Sequence, residues 1–179
     1  MLPSPLHPAI VHFPVVLAFL FPLFVGGAFW AIRRGANMRR AWMLPIACAV
    51  ALSLSAFAAV RTGGAQSDRV ERIVAERVIE SHEEMAEAFL AASAGVVLVA
   101  LAGLIGGVPG RTARLLTGIG AVALAGIVVR VGHTGGQLVY RYGAAAAYTQ
   151  TGGPAGASGG GCQGDRGNTR CADRILQRE

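Results

Sequence analysis

The chain holds four histidines, His7, His12, His82 and His133, and each sits at an end of a long apolar run. Imidazole is the commonest protein ligand for transition metals and haem iron. His7 and His12 lie in Leu6-His7-Pro8-Ala9-Ile10-Val11-His12-Phe13-Pro14, entering the first run. Pro8 suits the first turn of a helix and puts His7 at its cap. Five residues at 100° each turn His12 about 140° away from His7, so one regular helix does not aim both at one metal. Pro14 removes a backbone hydrogen bond in the same turns. His82 enters the third run among Glu80, Glu83, Glu84 and Glu87, as a ligand reaching inward or as part of a solvated face.

His133 leaves the fourth run with Gly132, Gly135 and Gly136 around it. Without a Cβ, these glycines allow a flat ligand or a second backbone to come close. Arg130 and Arg141 bracket the segment, with Arg61 at the same end, and guanidinium groups pair well with carboxylates such as haem propionates. His12 and His133 are the strongest ligand candidates, and His7 and His82 would complete a site. Two haem irons would use all four histidines, one iron would use two, and a copper or zinc centre three or four.

The elements that must position these residues are membrane helices. Of 179 residues, 53% are hydrophobic and 15% charged, against roughly 25% charged in a soluble domain. The charges cluster and leave long apolar runs of about 8–32, 42–60, 85–108 and 113–133, with few or no charges in each. Each approaches the ~20 residues a spanning helix needs, and a backbone in lipid must satisfy its own hydrogen bonds. The expected architecture is all-α: an integral membrane four-helix bundle over 1–150, with an outer amphipathic helix and a flexible Gly-rich tail over 151–179.

Loop charges orient it. Arg33, Arg34, Arg39 and Arg40 follow the first run, Arg111 and Arg114 the third, and no acid accompanies them. These are the cytoplasmic loops by the positive-inside rule, which leaves both termini and the histidine ends periplasmic in a bacterial inner membrane. The first run is expected to be an uncleaved helix, since its arginines follow it. In the outer loop, Thr62-Gly63-Gly64 is expected to break the second helix. Ser67 would then cap a new helix carrying Val70, Ile73, Val74 and Val78, with Asp68/Arg72 and Arg72/Glu76 pairs. Ser81-His82-Glu83-Glu84 competes as a capping box starting a helix at His82. Thr-Gly-Gly recurs at Thr134-Gly135-Gly136, a faint internal repeat. Cys162 and Cys171 in the tail are a disulfide pair or two free thiols, and Cys48 packs as a small apolar residue.

The segments Leu6-His7-Pro8-x-x-Val11-His12-Phe13-Pro14 and His133-Thr134-Gly135-Gly136-Gln137-Leu138-Val139-Tyr140-x-Tyr142-Gly143, with Thr62-Gly63-Gly64 and His82 between them, resemble a bacterial membrane domain, the family numbered 2231 among domains of unknown function. The likeness covers about residues 5 to 143. Some members are fused to Rieske iron–sulfur or cytochrome c domains. The resemblance implies a four-helix membrane redox partner of b-type cytochrome character.

The leading expectation is a haem-binding electron-transfer subunit with one or two haem b groups. It would relay electrons at the periplasmic face to a cytochrome c or iron–sulfur protein, among other membrane subunits. The alternatives are a copper- or zinc-binding membrane protein and a cofactor-free structural anchor. A net charge of +6 does not signal nucleic-acid binding here, because no basic arm or nucleic-acid motif accompanies it. P-loop and His-Glu-x-x-His motifs are absent, so a stand-alone enzyme has little support.

Overall fold

The computed structural model describes residues 6–72 and 74–146. Five helices account for nearly all of them: α1 (His7–Ile10), α2 (His12–Arg33), α3 (Met38–Val70), α4 (Glu76–Ala102) and α5 (Gly107–Tyr140). The tail, with Cys162 and Cys171, lies outside the described residues, as does Ile73. Four stretches are long and apolar enough to cross a bilayer: His7–Arg33, Met38–Ser67, Glu76–Ala102 and Gly107–Tyr140. α1 and α2 form one such stretch, separated at Val11. The interruption follows from Pro14, which has no N–H to offer the carbonyl of Ile10.

Successive long helices pack as hairpins, α2 on α3 and α4 on α5, and the ring closes through α3 on α4 and α2 on α5. The buried positions of α2 are Pro14, Ala18, Phe21, Val25 and Ala28. Their alternating spacing of three and four is the seam of a left-handed bundle. On α5 the buried set is Gly110, Ala113, Thr117, Ala121, Leu124 and Val128. Small residues dominate the α5 seam, as in membrane bundles, where close backbone approach replaces hydrophobic collapse. The outward faces carry Phe13, Phe19, Leu23, Ile119 and Val122, all at least half exposed, a surface suited to lipid rather than water. The interior hydroxyls of Ser93 and Thr117 donate to Leu90 O and Ala113 O one turn back.

The two hairpins repeat each other. Pro14, Ala18, Val25 and Ala28 of the first correspond at one constant offset to Phe89, Ser93, Ala100 and Gly103 of the second, and all eight are buried. Pro45, Ala49, Leu52 and Ala56 of α3 correspond likewise to Thr117, Ala121, Leu124 and Val128 of α5, again all buried. The repeat glimpsed in Thr-Gly-Gly therefore extends along the whole bundle.

Several expected boundaries are corrected. Thr62-Gly63-Gly64 does not end its helix, and α3 runs on to Val70. Ser67 is not an N-cap: its hydroxyl donates to Gly64 O at 2.7 Å from within α3. No separate amphipathic helix starts there. The outer segment is the end of α3 and the start of α4, so Arg72 and Glu76 are not one helix's i,i+4 pair. α4 begins at Glu76, six residues before His82, and Ser81 caps nothing. α5 passes through His133 and ends at Tyr140. Gly in a helix costs only about 1 kcal/mol relative to Ala, and the contacts described next offset that cost.

Candidate functional site

His7, the first residue of α1, turns its ring onto α3. His7 Nδ1 lies 2.9 Å from Ala59 O and 3.5 Å from Thr62 Oγ1. His82, in the second turn of α4, turns its ring onto α5, with Nδ1 2.9 Å from Thr134 Oγ1. These partners fix the protons. A carbonyl only accepts, so the neutral His7 imidazole carries its proton on Nδ1 and donates it to Ala59 O. The Thr134 hydroxyl hydrogen goes to Val131 O at 2.9 Å. Its oxygen therefore accepts, and His82 also carries its proton on Nδ1. In both rings the bare lone pair is on Nε2, and no hydrogen bond to either Nε2 forms among the described residues.

Glycine makes room for each ring. A Cβ on Gly63 would stand 3.1 Å from His7 Cε1, and one on Gly135 would stand 3.1 Å from His82 Cε1. Both distances are tighter than nine in ten real Cβ contacts. The first glycine of each Thr-Gly-Gly is thus a ring seat, and the threonine before it is the hydrogen-bonding wall. Gly64 and Gly136 face nothing within 4 Å.

His7 and His82 line one cavity of about 370 Å³, the size of a small-molecule or cofactor site. Its other walls include Pro8, Glu83, Gln66, Ser67, Leu138 and Val139, with Val70, Ile79 and Ala144. The repeat organises these walls. His7 corresponds to His82, Pro8 to Glu83, Gly63 to Gly135, Gln66 to Leu138 and Ser67 to Val139. The two imidazoles are close enough to interact electrostatically, and Glu83 interacts with His7. A second cavity of about 80 Å³ adjoins the other side of His7, between Glu83, Glu87 and Gly64.

The remaining sequence candidates lie elsewhere. His12 is exposed while His7 is half-buried against α3, the divergence that five residues of helix impose. His133 is also exposed, its Nε2 3.0 Å from Gln137 Nε2. It lines a separate groove on the outer face of α5 with Gly132, Gly136 and Arg141. Ranking His12 and His133 above His7 and His82 is therefore corrected: the structure brings together the latter pair. Of the three glycines near His133, only Gly135 reaches the histidine cavity. Arg61 lies over the Phe57 ring, Arg141 over the Tyr142 ring, and Arg130 is exposed; none of the three lines the cavity. Among the described residues no cluster of three or more His, Cys, Asp or Glu is arranged to hold a metal ion. Sequence reasoning overlooked Ala59, Thr62, Gly63 and Thr134 as site residues. Their signal was the repeated Thr-Gly-Gly, whose composition reads as helix punctuation.

The donor set fits one kind of metal group well. Two neutral imidazoles whose Nδ1 atoms are hydrogen-bonded are donors of the type that would hold a haem iron, the second hydrogen bond fixing tautomer and ring orientation. A family model described as a predicted membrane protein, DUF2231, matches residues 3–147. That description names no cofactor. Neither a curated protein nor a solved structure matches the chain.

Proposed function

The chain belongs to the DUF2231 family of predicted membrane proteins, and on that footing we propose that it is a haem b-binding electron-transfer subunit whose iron is held by His7 and His82. One observation carries the reading: two imidazoles, one from each hairpin, line a single cavity with their Nδ1 atoms engaged by Ala59 O and Thr134 Oγ1. Bound there, haem would supply reversible one-electron chemistry. The chain's own residues do the rest. Ala59 O and Thr134 Oγ1 hold the rings and raise their basicity. Gly63 and Gly135 leave the rings space to lie flat on the helices. The apolar walls from Val70, Ile79, Leu138 and Val139 exclude water and favour the less charged oxidation state.

Arg61 and Arg141, engaged with aromatic rings, are not assigned to propionates in this proposal. The histidine end faces the periplasm of a bacterial inner membrane, by the arginine asymmetry of the loops. There it would exchange electrons with a cytochrome c or iron–sulfur partner. The test is the reduced-minus-oxidised spectrum of the full chain, purified after expression with haem supplied. A b-type α-band is expected in the wild type, His12→Ala and His133→Ala, and its loss in His7→Ala and His82→Ala. No band in the wild type, or a band surviving both cavity variants, refutes the reading.

A cofactor-free anchor is the second reading, favoured by a specific observation. Each imidazole already bonds a neighbouring helix, His7 to α3 and His82 to α5, and can serve as a staple. In that case the wild type shows no haem, and the cavity variants lose only thermal stability.

A further inference from the structure

At the end opposite the histidines, charge is all of one sign. The chain has no acid before Asp68 and none between Glu87 and Asp165. The α2–α3 and α4–α5 connections therefore bring six arginines, Arg33, Arg34, Arg39, Arg40, Arg111 and Arg114, to one end of the bundle with no carboxylate among them. Arg114 has an internal role: its guanidinium donates to Gly103 O. The other five are exposed.

The α2–α3 connection holds its arginines in a defined arrangement. Arg33 closes α2, and Gly35 turns the chain with φ 93°. Asn37 caps α3 by accepting from Arg40 N at 3.2 Å. Arg33-Arg34 and Arg39-Arg40 are thereby fixed on the two sides of a tight turn. Arg34 lies 4.9 Å above the ring of Trp30, which is 61% exposed. Stacking uses the face of a guanidinium and leaves its N–H edges free to donate in plane. Exposed Trp beside Arg is also the pattern found where a helix passes through the headgroup layer.

We propose that this end is a docking surface for anionic phospholipid headgroups, with the Arg33-Arg34 and Arg39-Arg40 pairs as bidentate phosphate donors. The inference is independent of the haem reading. Helix length and apolar outer faces put this end at a bilayer surface. Guanidinium forks match phosphate oxygens, and all sixteen basic residues of the chain are arginine, none lysine. Anionic leaflets supply the opposite charge that the protein itself withholds here.

The test is native mass spectrometry of the full chain in detergent, after incubation with phosphatidylglycerol or phosphatidylcholine. Phosphatidylglycerol should be retained over phosphatidylcholine, and Arg39→Gln/Arg40→Gln should weaken its retention by roughly fivefold per arginine removed. The Asn37 cap survives that change because it uses the Arg40 backbone N–H. Arg130→Gln/Arg141→Gln, at the other end, should retain the lipid as the wild type does. Equal retention of the two lipids overturns the proposal, as does unchanged retention in Arg39→Gln/Arg40→Gln. So does full displacement of phosphatidylglycerol by millimolar inorganic phosphate, which marks a free-anion site instead.

Discussion

Within each Thr-Gly-Gly the two glycines should respond differently to the same methyl group. Gly136 lies inside α5, and a Cβ added there would meet nothing within 4 Å. Gly136→Ala should therefore gain the helix-propensity difference of about 1 kcal/mol. For a chain of this length that is roughly 2–4 °C in Tm. Gly135→Ala gains the same propensity but puts its Cβ 3.1 Å from His82 Cε1, where ordinary contacts run 3.4–4 Å. The ring must retreat by a few tenths of an ångström, and its Nδ1 bond to Thr134 starts from 2.9 Å. Stretching that bond past about 3.2 Å forfeits its net worth of about 1 kcal/mol. The gain and the loss then cancel, and Tm stays within about 1 °C of wild type. The same contrast is expected between Gly64→Ala, stabilising, and Gly63→Ala, neutral. Thermal unfolding in detergent, followed by the fluorescence of Trp30 and Trp42, reads all four variants. If Gly135→Ala stabilises as much as Gly136→Ala, the ring is not seated on the glycine and the site geometry argued from it fails.

Two further outcomes follow from named hydrogen bonds. Thr134→Val keeps shape but removes the acceptor for His82 Nδ1–H. Imidazole ¹⁵N shifts of the cofactor-free protein should then show His82 losing its single tautomer while His7, held by Ala59 O, keeps its own; an unchanged His82 pattern refutes the tautomer assignment. At the arginine end, fully buried Trp42 donates to Ala100 O at 2.9 Å, and a Cβ on Gly103 would come within 2.5 Å of Trp42 Nε1. Gly103→Ala should destabilise by about 1–3 kcal/mol through overpacking, visible as a Tm several degrees lower, and a wild-type Tm would show that the packing there yields easily.

The number of spanning helices was legible in the sequence because charge is excluded from long runs, and a bilayer tolerates little else. The helix ends were not. Thr62-Gly63-Gly64 has the composition of a helix stop, yet α3 continues because His7 packs on Gly63 and bonds Ala59, contacts made across helices. The same holds for Gly135 beneath His82. The pairing of histidines was equally hidden. His12 looked stronger than His7 because ionisable groups within apolar runs usually face inward, but α1 meets α3 on the side of His7. That a histidine belongs to the site depends on which helices are neighbours, and local spacing carries no such information. The chemistry, imidazole at one end of a bundle, was readable; the partners that set each proton were not.

The repeat is imperfect where the cavity walls meet, and this has a directional consequence. Where one repeat supplies Gln66 and Ser67 the other supplies Leu138 and Val139, and where one supplies Glu83 the other supplies Pro8. Two matched imidazoles thus sit in a mostly apolar chamber whose polar side chains, Gln66, Ser67 and Glu83, have apolar counterparts in the other repeat. A guest whose own edges differ in polarity meets two inequivalent settings after a half-turn about the line joining the rings. The protein should therefore hold an unsymmetrical planar guest in one sense of insertion, although its two ligands are interchangeable.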